Sequence, residues 1–258
     1  MQPALNETIN GLLESLLADI QDTLGEKLEG LYVYGSLAWG DFDPDISDID
    51  LLAIVSSDVT EEECEALRNM HEQFANRHPA WNDRIEAQYL SVDGLKTFRE
   101  KRSRIAVISP GEPLNMKDAG VEWLQNWYCV QQYGKALYGP ALSTIMAPIP
   151  KEAFLAAVKA YARQWETFVI NTLHSRPYQG YAILTLCRAL YTLTHGEQTS
   201  KRKAAEWFKE AYPEQAQTVA GAWLWRERYR DAGIDHEQTY EQTVRFVEFA
   251  IGQLLKKN

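Results

Sequence analysis

Leu5, Ile9, Leu12, Leu13, Leu16, Leu17, Ile20, Leu24 and Leu28 recur at steps of three and four residues, which predicts an amphipathic helix terminated by Gly30. Residues 31 to 34 then read as a short buried strand, and Ile49 to Val55 as a second. Thr60 with Glu63 three positions on has capping-box spacing and opens a helix running to about Arg77. Over residues 84 to 90 the period falls to two, with Ile85, Ala87 and Tyr89 on one side and Glu86 and Gln88 on the other. The Pro and Gly content from Ser109 to Gly120 signals a loop, followed by a helical stretch from about Asp118 to Tyr133 and a break at Gly139-Pro140.

After the linker-like segment Met146 to Pro150 every periodic stretch is helical, over about 151–174, 179–195, 200–211, 213–231 and 236–256. Pro150 suits the first position of the first of these, where its missing N–H costs nothing. The pattern predicts an α+β chain: an N-terminal α/β domain with a mixed sheet over residues 1–149, then a C-terminal α-helical bundle over 150–258.

Composition narrows the function. A net charge of −10 argues against sequence-independent nucleic-acid binding, which depends on neutralising phosphates, and suits a cationic partner better. Cys64, Cys129 and Cys187 are odd in number and in no metal-ligand spacing, so they read as reduced thiols of a cytoplasmic protein. No apolar run is long enough to cross a bilayer, so no membrane partner is expected.

The chemistry concentrates in GSLAWGDFDPDISDID, residues 35 to 50. Twelve residues separate Gly35 from Asp48, and Asp48 and Asp50 stand one residue apart where a strand begins, so their side chains share a face. Such a pair can hold one or two Mg2+ ions, which take few protein carboxylates and complete their shells with water and substrate phosphates. Gly35 allows close approach of the main chain to a phosphate, and Ser36 is placed to hold it. Ser47 is either a second phosphate contact or a turn residue. Glu86, the one acid in RIEAQYL, is expected to emerge toward the two aspartates, so that three acids converge on divalent ions at the mouth of the sheet.

This order of strand, Gly-Ser, spacer and Asp-x-Asp resembles the signature of the DNA polymerase β-type nucleotidyltransferases. Residues 182 to 207, AILTLCRALYTLTHGEQTSKRKAAEW, further resemble the C-terminal domain of the aminoglycoside (3″)(9) adenylyltransferases, the streptomycin and spectinomycin resistance enzymes. The resemblance implies that Arg188 and Lys201 reach ATP phosphates, that Tyr229 in WRERYRD contacts the nucleotide, and that Glu86 is the catalytic base. It also points to Trp123, with Glu122 beside it, as lining the acceptor cleft, and leaves Trp165 and Glu166 as weaker acceptor candidates. The family's acidic segment ahead of the leucine-threonine-leucine helix is replaced by RPYQG at residues 176 to 180, which disfavours streptomycin.

The implied activity is Mg2+-dependent transfer of AMP from ATP to a hydroxyl of a small, cationic, aminoglycoside-type acceptor, with release of pyrophosphate. Two other readings stand beside it. One keeps the site and makes the acceptor a protein or an RNA end, resting on the basic runs Arg99–Arg104 and Lys201–Lys203. The other takes Arg188 and His195, seven apart on a helix, as the pair of a HEPN-type ribonuclease.

Overall fold

The computed structural model describes residues 3–227 and 234–256, and the chain divides into two compact units, Met1–Ile149 and Pro150–Asn258. The first contains α1 (Pro3–Leu24), β1 (Leu28–Tyr34), α2 (Gly35–Trp39), β2 (Ile49–Val55), α3 (Glu61–Arg77), β3 (Ile85–Ser91), α4 (Val92–Thr97), β4 (Ser103–Ser109), β5 (Glu112–Ala119), α5 (Leu124–Tyr133) and β6 (Lys135–Tyr138). Its strands form one sheet in the order β5-β4-β3-β2-β1-β6. Only β2 and β3 run parallel, joined through α3, and every other pairing is antiparallel.

Alternation along the strands decides which face is which. Leu31, Val33, Leu51, Ala53, Ala87 and Tyr89 point to the face covered by the apolar stripes of α1 (Ile9, Leu12, Leu13, Leu16, Ile20) and α3 (Cys64, Leu67, Met70, Phe74). Thr60 caps α3 as predicted, with Glu63 completing the capping box. Tyr34, Asp50, Glu86 and Gln88 are left for the opposite face.

Two expectations about this unit need correction. The first helix stops at Leu24, where Gly25 adopts a positive φ of 55°, and Gly30 is a strand residue against which the Tyr32 ring packs. Leu28, buried, already belongs to β1, so the strand starts where the helical period still held. The predicted loop from Ser109 to Gly120 is mostly β5, and Pro110-Gly111 is the turn of a hairpin with β4. β5 is an edge strand with polar, partly exposed side chains and a proline, and such a strand lacks the alternation of a half-buried one.

In the second unit α6 (Lys151–Phe168), α7 (Arg176–His195), α8 (Lys201–Ala211), α9 (Ala216–Glu227) and α10 (Tyr240–Leu255) form a bundle around α7. Most of α7 between Gln179 and Thr192 is buried, because the other four helices all pack on it. Pro150 is the cap preceding α6, Ser200 caps α8, and Gly196 at φ 69° closes α7. Among the described residues no helix is long and apolar enough to cross a membrane. Cys64, Cys129 and Cys187 are buried, and none forms a disulfide among the described residues.

A buried polar pair lies within the sheet–helix core: His71 Nε2 and the Tyr89 hydroxyl are 2.7 Å apart. Burial lowers the His71 pKa to about 4, so the ring is neutral in the native state. The unfolded chain binds this proton below about pH 6.5. Stability from the neutral ring is therefore complete above that pH and lost as pH falls through about 4. Urea unfolding at pH 7 and pH 4.5 should show a loss on the order of 2–3 kcal/mol attributable to this group. The variant His71→Gln should lose correspondingly less; equal losses in both proteins would contradict the assignment.

Candidate active site

Register brings the first site residues together. Asp50 is the parallel partner of Glu86 across β2 and β3, and the antiparallel partner of Tyr34 across β1 and β2. Directly paired residues point the same way, so these three side chains stand in a row on the face away from α1 and α3. Asp50 and Glu86 are half-buried in strands whose other residues are all buried. Asp48, also half-buried, lies just before β2, where the ladder begins with the Ile49 N–H donating to Arg84 O at 2.9 Å.

Gly35 is required by that row. Its φ is 65°, and a Cβ built on it would stand 1.9 Å from Asp50 Oδ2, so the carboxylate rests against bare backbone. Ser36, half-buried, follows in the first turn of α2, and its carbonyl accepts the N–H groups of Gly40 and Asp41.

The loop carrying Asp48 is fastened by a residue that local sequence pattern does not single out. Arg84, only 7% exposed, donates from Nη2 to the carbonyls of Pro44 (2.8 Å) and Ser47 (2.6 Å), while its guanidinium lies 4.4 Å from the Trp81 ring centre. A planar fork of donors suits a cluster of loop carbonyls. Of the two readings of Ser47, the structure favours the turn residue: it is buried and its Oγ accepts the Asp43 N–H at 2.9 Å.

Behind the carboxylates lies a buried polar chain. Trp127 Nε1–H donates to Gln88 Oε1 at 3.1 Å, and Gln88 Nε2–H donates to the Tyr34 hydroxyl at 2.8 Å. Burial pushes the Tyr34 pKa well above its ordinary value, the charges of Glu86 and then Asp50 push further, and a hydrogen bond with Asn126 opposes them. Trp123, predicted to line the acceptor cleft, stacks on Trp127 with ring centres 6.4 Å apart. Its neighbour Glu122 is 3.0 Å from Arg102 in a surface ion pair. A separate cavity of about 390 Å³, lined by Phe74, Trp81, Ile85 and Leu114 among others, is not lined by the carboxylates.

The donor set suits magnesium in kind: hard carboxylate oxygens from Asp48 and Asp50, with one residue between them and Asp50 resting on a glycine. Among the described residues, however, no group of three or more His, Cys, Asp or Glu side chains is disposed to hold a metal ion. The three acids lie at one end of neighbouring strands, Asp50 and Glu86 as register partners and Asp48 just ahead of β2, without forming such a group. One or two carboxylates are what magnesium commonly takes when phosphates supply further oxygens.

In the helical unit, Arg188 is half-buried within the buried run of α7 and acts electrostatically on Tyr161. Tyr161 hydrogen-bonds Tyr181, and the Lys201 ammonium sits 5.1 Å from the Tyr181 ring centre, so both predicted phosphate-binding cations border one aromatic cluster. Tyr229 lies outside the described residues. Trp165 is buried in the core and Glu166 is exposed. In the departing segment, Gln179 bonds the carbonyls of Thr172 and His236 and accepts the Thr239 hydroxyl, while Gly180 lets the Ala222 carbonyl approach. His195 is an exposed helix-end residue stacked on Tyr191 and edge-on to Trp207.

Comparison with known proteins identifies a family for each unit. Residues 14–106 match the nucleotidyltransferase domain family, and residues 144–252 match the family described as aminoglycoside adenylyltransferase, C-terminal domain. The fold is similar to that of spectinomycin adenyltransferase AAD(9) from Enterococcus faecialis, crystallised with ATP and spectinomycin: TM-score 0.75 and 18% identity over 95% of this chain and 99% of that one. A toxin-antitoxin structure with AMP-PNP matches at TM-score 0.30 and 13% identity, over 60% of this chain and 91% of that one, too low to bear on function.

The glycine contact makes a direct prediction. Gly35→Ala should lower stability by about 1–3 kcal/mol, because alanine resists a positive φ and its methyl displaces Asp50. Gly40→Ala, also at positive φ but with nothing within 4 Å, should cost only the backbone part. Urea denaturation of the two variants measures the difference, and equal losses would show that Asp50 yields freely.

Proposed function

This chain is an aminoglycoside adenylyltransferase-like nucleotidyltransferase, and on that premise we propose that it transfers AMP from ATP, with Mg2+, to a hydroxyl of a small cationic acceptor. The observation that carries the reading is the row of Asp50 and Glu86 at paired strand positions, with Gly35 bare beneath Asp50. Asp48 and Asp50 would hold the metal. When bound, Mg2+ neutralises triphosphate charge and polarises the phosphoryl oxygens.

Glu86 accepts the proton of the acceptor hydroxyl on a carboxylate oxygen. The hydroxyl oxygen then forms a bond to the α-phosphorus, the bond from that phosphorus to the bridging oxygen breaks, and pyrophosphate leaves. Ser36 and the main chain at Gly35 hold phosphate oxygens. The family resemblance assigns Arg188 and Lys201 to ATP phosphates and Tyr229 to the nucleotide, roles for which cations and an aromatic hydroxyl are chemically suited.

Spectinomycin, the compound in the AAD(9) complex, is the first acceptor to try, and antibiotic resistance is the corresponding biological role. Streptomycin is disfavoured because the 176–180 segment lacks the acid, and Gln179 and Gly180 are committed to packing. No specific observation favours an RNA acceptor: in the run from Arg99 to Arg104, Lys101, Arg102 and Arg104 pair with Asp93, Glu122 and Glu61, and Arg99 reaches the Pro148 carbonyl. Nor does one favour a nuclease, since His195 packs with Tyr191 and Trp207. Three buried cysteines that form no disulfide are consistent with a cytoplasmic enzyme.

Incubation with ATP labelled at the α-phosphate, Mg2+ and spectinomycin or related aminoglycosides tests the reading. Label should move to the small acceptor with release of pyrophosphate; label on RNA or protein instead would overturn it. Glu86→Ala should lower kcat by on the order of 10²–10⁴-fold with ATP affinity changed less than about twofold. Wild-type turnover by that variant would remove Glu86 from the role of base.

A further inference from the structure

We propose that Trp127, Gln88 and Tyr34 form a one-way hydrogen-bond chain that aims the Tyr34 hydroxyl proton at the Glu86 and Asp50 carboxylates. Tyr34 is then a positioning residue for the base of the proposed reaction, and the inference rests on that reading only for the identity of the base.

The direction of the chain follows from its far end. An indole N–H can only donate, so the Gln88 oxygen must face Trp127 and its amide NH2 must face Tyr34. The amide thus has one orientation. The Tyr34 oxygen accepts from Gln88, and the Asn126 hydrogen bond, which favours the phenolate, is likewise a donation from an amide N–H to that oxygen, so the hydroxyl proton is turned elsewhere. The anionic carboxylates acting on this phenol are Glu86 and Asp50: Asp50 is its register partner, Glu86 is the partner of Asp50 on the next strand and shares a face of β3 with Gln88, and a hydroxyl dipole turns its positive end toward such charge.

Burial keeps the chain from being scrambled by water. Gln88 and Trp127 are fully buried and Tyr34 nearly so. Trp127 is itself held edge-on by Phe98, with ring centres 4.8 Å apart, and stacked by Trp123. A buried amide costs stability unless both its ends are bonded, and here both are.

Tyr34→Phe keeps the ring and removes the dipole. It should lower kcat by about tenfold, the scale of one buried hydrogen bond to charge, with KM for ATP and acceptor changed less than about twofold. Gln88→Leu should lower kcat similarly, and the double variant should be no worse than either single one, because both break one chain. In the nucleotide-free, metal-free protein the side-chain carboxyl ¹³C resonances of Glu86 and Asp50 should move in both variants, and the Trp127 indole N–H should exchange faster in Gln88→Leu alone. Unchanged kcat in Tyr34→Phe, losses that multiply, or carboxyl resonances that stay in place would each overturn the chain. A wild-type protein that transfers no AMP would refute the proposed function instead, and the resonances would still decide this inference.

Discussion

Two carboxylates held at neighbouring register positions, with one of them seated on a glycine, are the constraint around which the first unit is organised. If their tips keep the strand spacing of about 4.8 Å, two such charges repel by roughly 1 kcal/mol in water and about 3.5 kcal/mol in a partly buried setting. Antiparallel pairing to β1 on one side and parallel pairing to β3 on the other leaves Asp50 no freedom to retreat. The repulsion is therefore built into the backbone, and a cation with phosphate ligands is the kind of partner that relieves it. Arg84 completes the constraint by fixing the loop that carries Asp48.

Much of this was legible because period and chemistry coincided. The strands around Asp50 and Glu86 carry their apolar residues on one face against α1 and α3, so an acid on the other face stands out. The capping box at Thr60 and the positive-φ glycine at Gly196 announced helix ends for the same reason, since each satisfies a specific backbone need. What was missed lies where tertiary context overrides local pattern. β5 is a polar edge strand, β6 is four residues long, and Gly25 rather than Gly30 turned the chain. The roles of Arg84, Gln88 and Trp127 depend on partners about 40 residues away, which no local spacing reports.

The helical unit shows how one sequence element can serve packing and chemistry together. α7 is buried along most of its length, yet Arg188 within it is only half-buried and lies beside Tyr161, whose partner Tyr181 lies under Lys201. The segment opening the same helix is occupied by Gln179 and Gly180 in joining it to its neighbours, so the departure from the family's acidic pattern is structural as well as chemical.

The most direct test of the central claim is a crystal structure of the protein with Mg2+ and an ATP analogue that cannot release pyrophosphate. The account predicts metal density on the Asp48 and Asp50 carboxylates, a phosphate against Gly35 and Ser36, and the Glu86 carboxylate facing the α-phosphorus. A nucleotide bound elsewhere, or Glu86 turned from the triphosphate with no metal on the aspartate pair, would contradict it.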